Sequence, residues 1–213
     1  MTSPRRALLL IDVQQQYVGG LLEIHYPPHV ESLPRILAAI DAAEAAGIPI
    51  VAVQHSSGSG APVFDPDSPE FLLLPEVEAR ATGDWKRITK SYSSVFADTD
   101  LAERMRARDL GTATLVGSVT SSPVLASAAD AECVGFEIEV LSDATGAINL
   151  ANAAGTADAK TVHTVLMTLL NSSWASVANT DAWIAAVAAG EPLSGNDLGS
   201  SAAAGAAAVS ADR

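Results

Sequence analysis

The sequence predicts an α/β domain, a three-layer α/β/α sandwich with a parallel, Rossmann-like sheet covered by helices on both faces. Three observations carry this. The runs ALLLIDV (7–13), IPIVAVQ (48–54) and TATLVG (112–117) are short and continuously apolar, as suits strands buried on both faces. Segments with apolar residues at helical spacing separate them. The alternation persists along the chain, and strand–helix–strand units close a parallel sheet through right-handed crossovers. A chain of 213 residues holds one such domain with a sizeable core.

Each element follows from its residues. The run 7–13 is the first strand. In VESLPRILAAIDAAEAAG (30–47), Leu33, Ile36, Leu37 and Ile40 share one helical face, and Gly47 stops the helix. Residues 48–54 form the second strand. Segment 55–83, rich in proline and glycine, reads as a long loop with one short helix. WKRITK (85–90) is a weaker strand, and TDLAERMRARDLG (99–111) an amphipathic helix with Thr99 as its N-cap. After the strand 112–117 comes a helix of small residues, SPVLASAADAECVG (122–135). There Ser122 suits the N-cap and Pro123 the first helical position. FEIEVLSDA (136–144) is a strand and TADAKTVHTVLMTLLNSS (156–173) a helix. A short strand near 175–180 and the helix DAWIAAVAAG complete a domain over 1–190. Residues 191–213 are Gly-, Ser- and Ala-rich, with little bulky apolar surface to offset ordering entropy, and read as a flexible tail.

Composition narrows the function. The net charge is −13 and only Lys86, Lys90 and Lys160 are lysines, which argues against nucleic acid, whose phosphates demand cations. No apolar run reaches membrane-spanning length, so no membrane partner is expected. Arg5 and Arg6 before an apolar run mimic a secretion signal, but the run breaks at Asp12. The single cysteine, Cys133, allows no internal disulfide and fits a reducing, cytoplasmic setting. It is expected to be a buried structural thiol.

Ligands of parallel α/β sheets sit beyond the carboxyl ends of the strands. The residues there are Asp12 and Gln14, Gln54 and His55, Lys90, and 117–123. A carboxylate ending an apolar strand needs a counterion, and Lys90 is the natural one. Two readings stand: a structural ion pair tying two strands, or a proton-shuttling Asp12 whose pKa Lys90 tunes while also holding a substrate group.

LLLIDVQQQYVGG, KSYSSVF and LVGSVTSSPVLASAADAECVGFEIEVLSDA together resemble the three signature segments of the isochorismatase-like hydrolases, also called cysteine hydrolases, over residues 6 to 189. The resemblance implies six parallel strands and a homodimer or larger homo-oligomer acting on a small molecule. It implies Asp12 and Lys90 as catalytic residues, and Gln54, Tyr92, Phe96, Val119, Ser121 and Ser122 as substrate-binding residues. It also implies a cis peptide at Ser118–Val119. The family's nucleophilic cysteine falls on Pro123, which has neither a thiol nor the N–H used as an oxyanion donor. Cys133 lies ten positions further on, about 15 Å along a helix, too far to replace it.

The isochorismatase branch also lacks the cysteine; there the aspartate is a general acid and water attacks the cation it creates. Asp12 and Lys90 suffice for that chemistry. The alternatives are a non-catalytic binding protein that kept the fold, and amide hydrolysis with Ser121, Ser122 or water as nucleophile. Dicarboxylates favour arginine, and Arg80 is the sole arginine of 55–84, whereas Phe64 and Phe71 suggest a less charged substrate. No cofactor is expected. No metal is expected either: His55 lacks the aspartate of the family's Asp-x-His motif, and His25 and His29 flank Pro27 and Pro28. His163, in an apolar helix, reads as a core or interface residue.

Overall fold

A computed structural model describes residues 3–211. Along the chain run β1 (Arg6–Ile11), α1 (His29–Ala45), β2 (Ile50–His55), α2 (Pro75–Glu78), β3 (Lys86–Lys90), α3 (Leu101–Ala107), β4 (Thr112–Gly117), α4 (Leu125–Val134) and β5 (Glu137–Leu141). Then come β6 (Leu150–Asn152), β7 (Gly155–Ala157), α5 (Ala159–Ser173), β8 (Ser176–Ala178), α6 (Thr180–Ala189) and α7 (Leu198–Ala211). Six strands form one parallel sheet in the order β3-β2-β1-β4-β5-β8, with β1 and β4 at its centre.

The apolar runs form central strands because both of their faces are covered. Alternate residues of β1 enter opposite cores: Leu9 and Ile11 pack with Met105, Ala128 and Leu170, and Leu8 and Leu10 with Ile36, Ile40 and Trp183. Helices α3, α4 and α5 therefore cover one face, and α1 and α6 the other. The charge that opens β1 is also buried. Arg6 makes a bidentate pair with Glu139 at 2.8 and 2.9 Å, and Trp183 Nε1 and Thr114 Oγ1 donate to the same carboxylate at 2.9 and 2.7 Å. With that set complete, the buried pair is tolerated.

Register carries four strand ends to one place. Ile11 pairs with Val53 and with Gly117, and His55 pairs with Lys90. Gly117 is required for this approach: a Cβ there would stand 2.2 Å from the Ile11 carbonyl oxygen.

Four expectations are corrected. The opening turn is not a capped α-helix. Thr120–Val124 forms a π-helical turn after an extended Val119, and no side chain caps it. Pro123 sits inside this turn rather than at a first α-helical position, and the Ser122 hydroxyl pairs with Ser93 Oγ at 2.8 Å instead of a backbone N–H. The cis peptide lies at Tyr26–Pro27, not Ser118–Val119. There the N–H groups of Ser118 and Thr120 already reach the carbonyls of Ile11 and Gly146, at 3.2 and 2.7 Å. Cys133 is exposed, because α4 buries the opposite face through Ser127, Ala128 and Ala131. Finally, the sequence 191–213 is not irregular throughout: Leu198–Ala211 is helical. Alanine has the highest helix propensity, and Asp197 Oδ1 accepts from Ser200 N at 2.8 Å at the helix start. The β6–β7 hairpin, unsigned by any strong apolar run, was not predicted.

No helix among the described residues is long and apolar enough to cross a membrane.

Candidate active site

Asp12 is the first residue beyond β1, with φ of +53°, an uncommon conformation for a residue other than glycine. It turns the chain out of the sheet and leaves the residue 2% exposed. Lys90 ends β3, two strands away, and is equally buried. Lys90 Nζ donates to Asp12 Oδ2 at 2.9 Å and to the Tyr92 carbonyl at 3.2 Å, and lies 3.3 Å from His55 Nδ1. With the His55 proton on Nε2, Nδ1 accepts the third N–H and the ammonium has no donor left over. Asp12 Oδ1, in contrast, is buried with no partner.

The charges are tuned by this burial. Desolvation pushes the Asp12 carboxyl up to about 6, against the opposing pull of Lys90. Burial first, and the Lys90 charge second, push His55 below its ordinary value, outweighing the Tyr92 carbonyl, so the ring is neutral at pH 7.

A cavity of about 250 Å³ opens here, lined by Asp12, Lys90, His55, Ser93, Ser121, Ser122 and Pro123. Its apolar walls are Tyr17, Leu22, Phe64, Val119 and Ile148. A larger groove, about 790 Å³, is bounded by Gln15, Leu21, Val30 and Glu76 and contains neither member of the ion pair. Size does not decide between them; convergent, perturbed charges do.

Residues 6–172 match the model of the isochorismatase domain. The chain belongs to the isochorismatase family. A crystal structure of an isochorismatase-family protein from Burkholderia xenovorans LB400 superposes with a TM-score of 0.94 at 42% identity, covering 98% of this chain and 100% of the other. The uncharacterized isochorismatase family protein YrdC of Bacillus subtilis is 25% identical over 83% of this chain and 93% of its own. The secreted isochorismatase effector Isc1 of Verticillium dahliae is 31% identical over 65% of this chain and 71% of its own. By family this protein is an isochorismatase-like hydrolase.

Of the residues that the isochorismatase resemblance nominates, the fold brings Asp12, Lys90, Pro123, Val119, Ser121 and Ser122 to one cavity. Three do not reach it. Gln54 turns its amide away, donating to the Phe71 carbonyl at 2.9 Å. Tyr92 projects to solvent at 58% exposure and contributes only its carbonyl. Phe96 is core, stacked on Phe136 at 5.6 Å between centroids. Neither Ser121 nor Ser122 hydrogen-bonds Asp12, so no serine–base pair is assembled. Arg80 is also elsewhere, paired with Asp41 at 2.7 Å.

Sequence reasoning missed the walls. Tyr17, Leu22 and Ile148 lie outside the strand-end positions, in loops that only the tertiary fold folds over the sheet. The one signal was the position of Tyr17, just beyond Asp12. His163 is buried as expected, 3.1 Å from Thr120 Oγ1, and so packs behind the turn that carries Ser121 and Pro123. Among the described residues, no three of His, Cys, Asp or Glu converge as metal ligands.

Proposed function

We propose that this family member hydrolyses an uncharged small molecule by general acid–base chemistry at Asp12, with no covalent adduct. The observation that carries the reading is the divided Asp12 carboxyl: Oδ2 is held by Lys90, while Oδ1 has no partner and the residue lines the cavity. A carboxyl near 6 is about one-tenth protonated at pH 7, enough to act as an acid and then as a base.

For an enol ether, the Asp12 proton passes to the terminal alkene carbon. The resulting cation is stabilised by the carboxylate left behind. Water adds to the cationic carbon, the one that bears the ether oxygen, and its proton returns to Asp12; the hemiketal then collapses to an alcohol and a ketone. Lys90 orients Asp12 and balances its charge. Its engaged N–H groups, and the lack of any arginine in the lining, favour an uncharged substrate over a dicarboxylate.

The test is a panel of neutral vinyl ethers and amides given to native protein and to Asp12→Asn. The expected loss is 100-fold or more, in the range of general acid–base catalysis. Undiminished turnover by the variant would refute the acid role. Ligand binding with no turnover across the panel would instead favour the binding-protein reading, which the missing thiol and N–H of Pro123 also favour.

Two further expectations belong to this reading. Free, exposed Cys133 fits a reducing cytoplasm. Exposed Val165 and Leu169, one turn apart on α5, fit a face shared between copies, to be checked by light scattering.

A further inference from the structure

We propose that Tyr17 supplies the neutral hydrogen-bond donor of this cavity, its hydroxyl holding a carbonyl or ether oxygen of the ligand across from Asp12. The inference rests on the cavity reading above and adds the group that Pro123 cannot provide.

Tyr17 closes a short 3-10 turn, Gln15–Tyr17, directly after β1. The turn is anchored from below by Gln14, which is fully buried. Its amide accepts from His55 N at 2.8 Å and donates to the carbonyls of His55 and Phe71 at 3.2 and 2.9 Å. Tyr17 N follows with a bond to the Gln14 carbonyl at 3.2 Å. The ring is then fixed by a tilted contact with Phe64, 5.5 Å between centroids, and by Ile24 and Val119.

These contacts account for the ring but not for the oxygen. Tyr17 is 7% exposed, yet no hydrogen bond among the described residues reaches its hydroxyl. Among the described residues, the sealed, unpartnered side-chain oxygens are Asp12 Oδ1 and Thr145 Oγ1. The Tyr17 oxygen is not among them, so it keeps contact with open space, and the space that Tyr17 lines is the cavity. A buried phenol without a partner costs free energy unless a ligand or water meets it. Phenylalanine would give the same packing without that cost.

The chemistry suits a donor. Burial, and then the Asp12 charge, push the phenol far above its ordinary range, so it remains an O–H at any working pH. A donor that stays protonated and preoriented suits the departing substrate oxygen, which takes up electron density as the hemiketal collapses. Lys90 already gives two N–H groups to Asp12 and the Tyr92 carbonyl and sets its third beside His55 Nδ1, and Pro123 has no N–H.

The test is binding, not turnover. Acetophenone presents an apolar ring and one acceptor oxygen; α-methylstyrene has the same shape without it. Native protein and Tyr17→Phe are titrated with both by NMR, and the carbonyl stretch of bound acetophenone is read by infrared. The expected result is a loss of about three- to tenfold in acetophenone affinity in the variant, the worth of one neutral hydrogen bond. α-Methylstyrene should bind both proteins alike, and the carbonyl band should move to lower wavenumber in native protein only. Equal acetophenone affinities, an unshifted band in native protein, or no binding of either probe to native protein would each overturn the proposal. The infrared measurement on native protein decides the matter even if the variant does not fold. Retained activity in Asp12→Asn would refute the acid chemistry while leaving this binding result standing.

Discussion

Lys90 Nζ binds one oxygen of Asp12 at 2.9 Å and leaves the other, Oδ1, with no protein partner. A purely structural pair would gain from satisfying both oxygens, since an unmet buried acceptor is costly. The asymmetry leaves Oδ1, sealed and without a partner, as the oxygen that carries the proton, in a residue that lines the cavity holding His55 and the Ser121–Pro123 turn. It makes Asp12 the group most informative to perturb.

Turnover should follow the protonated fraction of Asp12. With the carboxyl at about 6, kcat/KM on any substrate from the panel should be level below that pH and fall about tenfold per pH unit above it. A profile that rises through pH 6 would mean that the carboxylate, acting as a base, is the required form.

Stability should show the same group with a definite sign. The folded pKa of Asp12 is raised above its ordinary value of 3.8, so the native state binds the proton more tightly than the unfolded chain does. This contribution is fully present below pH 4 and is lost as pH rises through about 6. The comparison of native protein with Asp12→Asn isolates it: urea midpoints should diverge between pH 4 and 6, with the variant gaining relative stability as pH rises. Parallel midpoints across that window would contradict the raised pKa. Asp100, Asp158 and Asp197, whose pKa values are lowered, are untouched in both proteins and cancel in the difference.

Replacing Lys90 by methionine keeps most of the volume and removes the counterion. Breaking a buried pair from one side costs about 3–5 kcal/mol, because the remaining charge is stranded. Asp12 can escape by taking a proton, so the cost should be smallest near pH 5 and largest above pH 7, measured by denaturant unfolding. A pH-independent loss would imply that packing, not charge, is what Lys90 supplies.

Gly117→Ala probes the approach of β4 to β1. The added methyl would meet the Ile11 carbonyl oxygen at 2.2 Å, and backbone on both sides cannot yield cheaply. Overpacking of this kind costs about 1–3 kcal/mol. Because Ile11 precedes Asp12, binding of acetophenone should also weaken. Native-like stability and binding in this variant would show that the two strands can part without disturbing the site.

Much of this protein was legible before its fold. The continuous apolar runs could only be strands covered on both faces, and their alternation with helical periods required parallel crossovers. That reasoning placed Asp12 and Lys90 at strand ends, where such sheets bind ligands, and paired them because an isolated charge there is untenable. Within the Ala-rich terminus, Leu198–Ala211 is helical because alanine's helix propensity is local and needs no bulky apolar residues.

What the tertiary structure alone decided is which atoms meet. Gln54, Tyr92 and Phe96 sit beside strand ends in sequence, yet their side chains go to a loop carbonyl, to solvent and to the core. Tyr17 and Leu22 come from the β1–α1 connection and Phe64 and Ile148 from two other loops, and the four still form one wall. Hydrophobic period is a local property and survives in one dimension. Side-chain direction, the partner left over for each donor, and the closure of loops over a pocket depend on register and packing between distant segments, which no local pattern records.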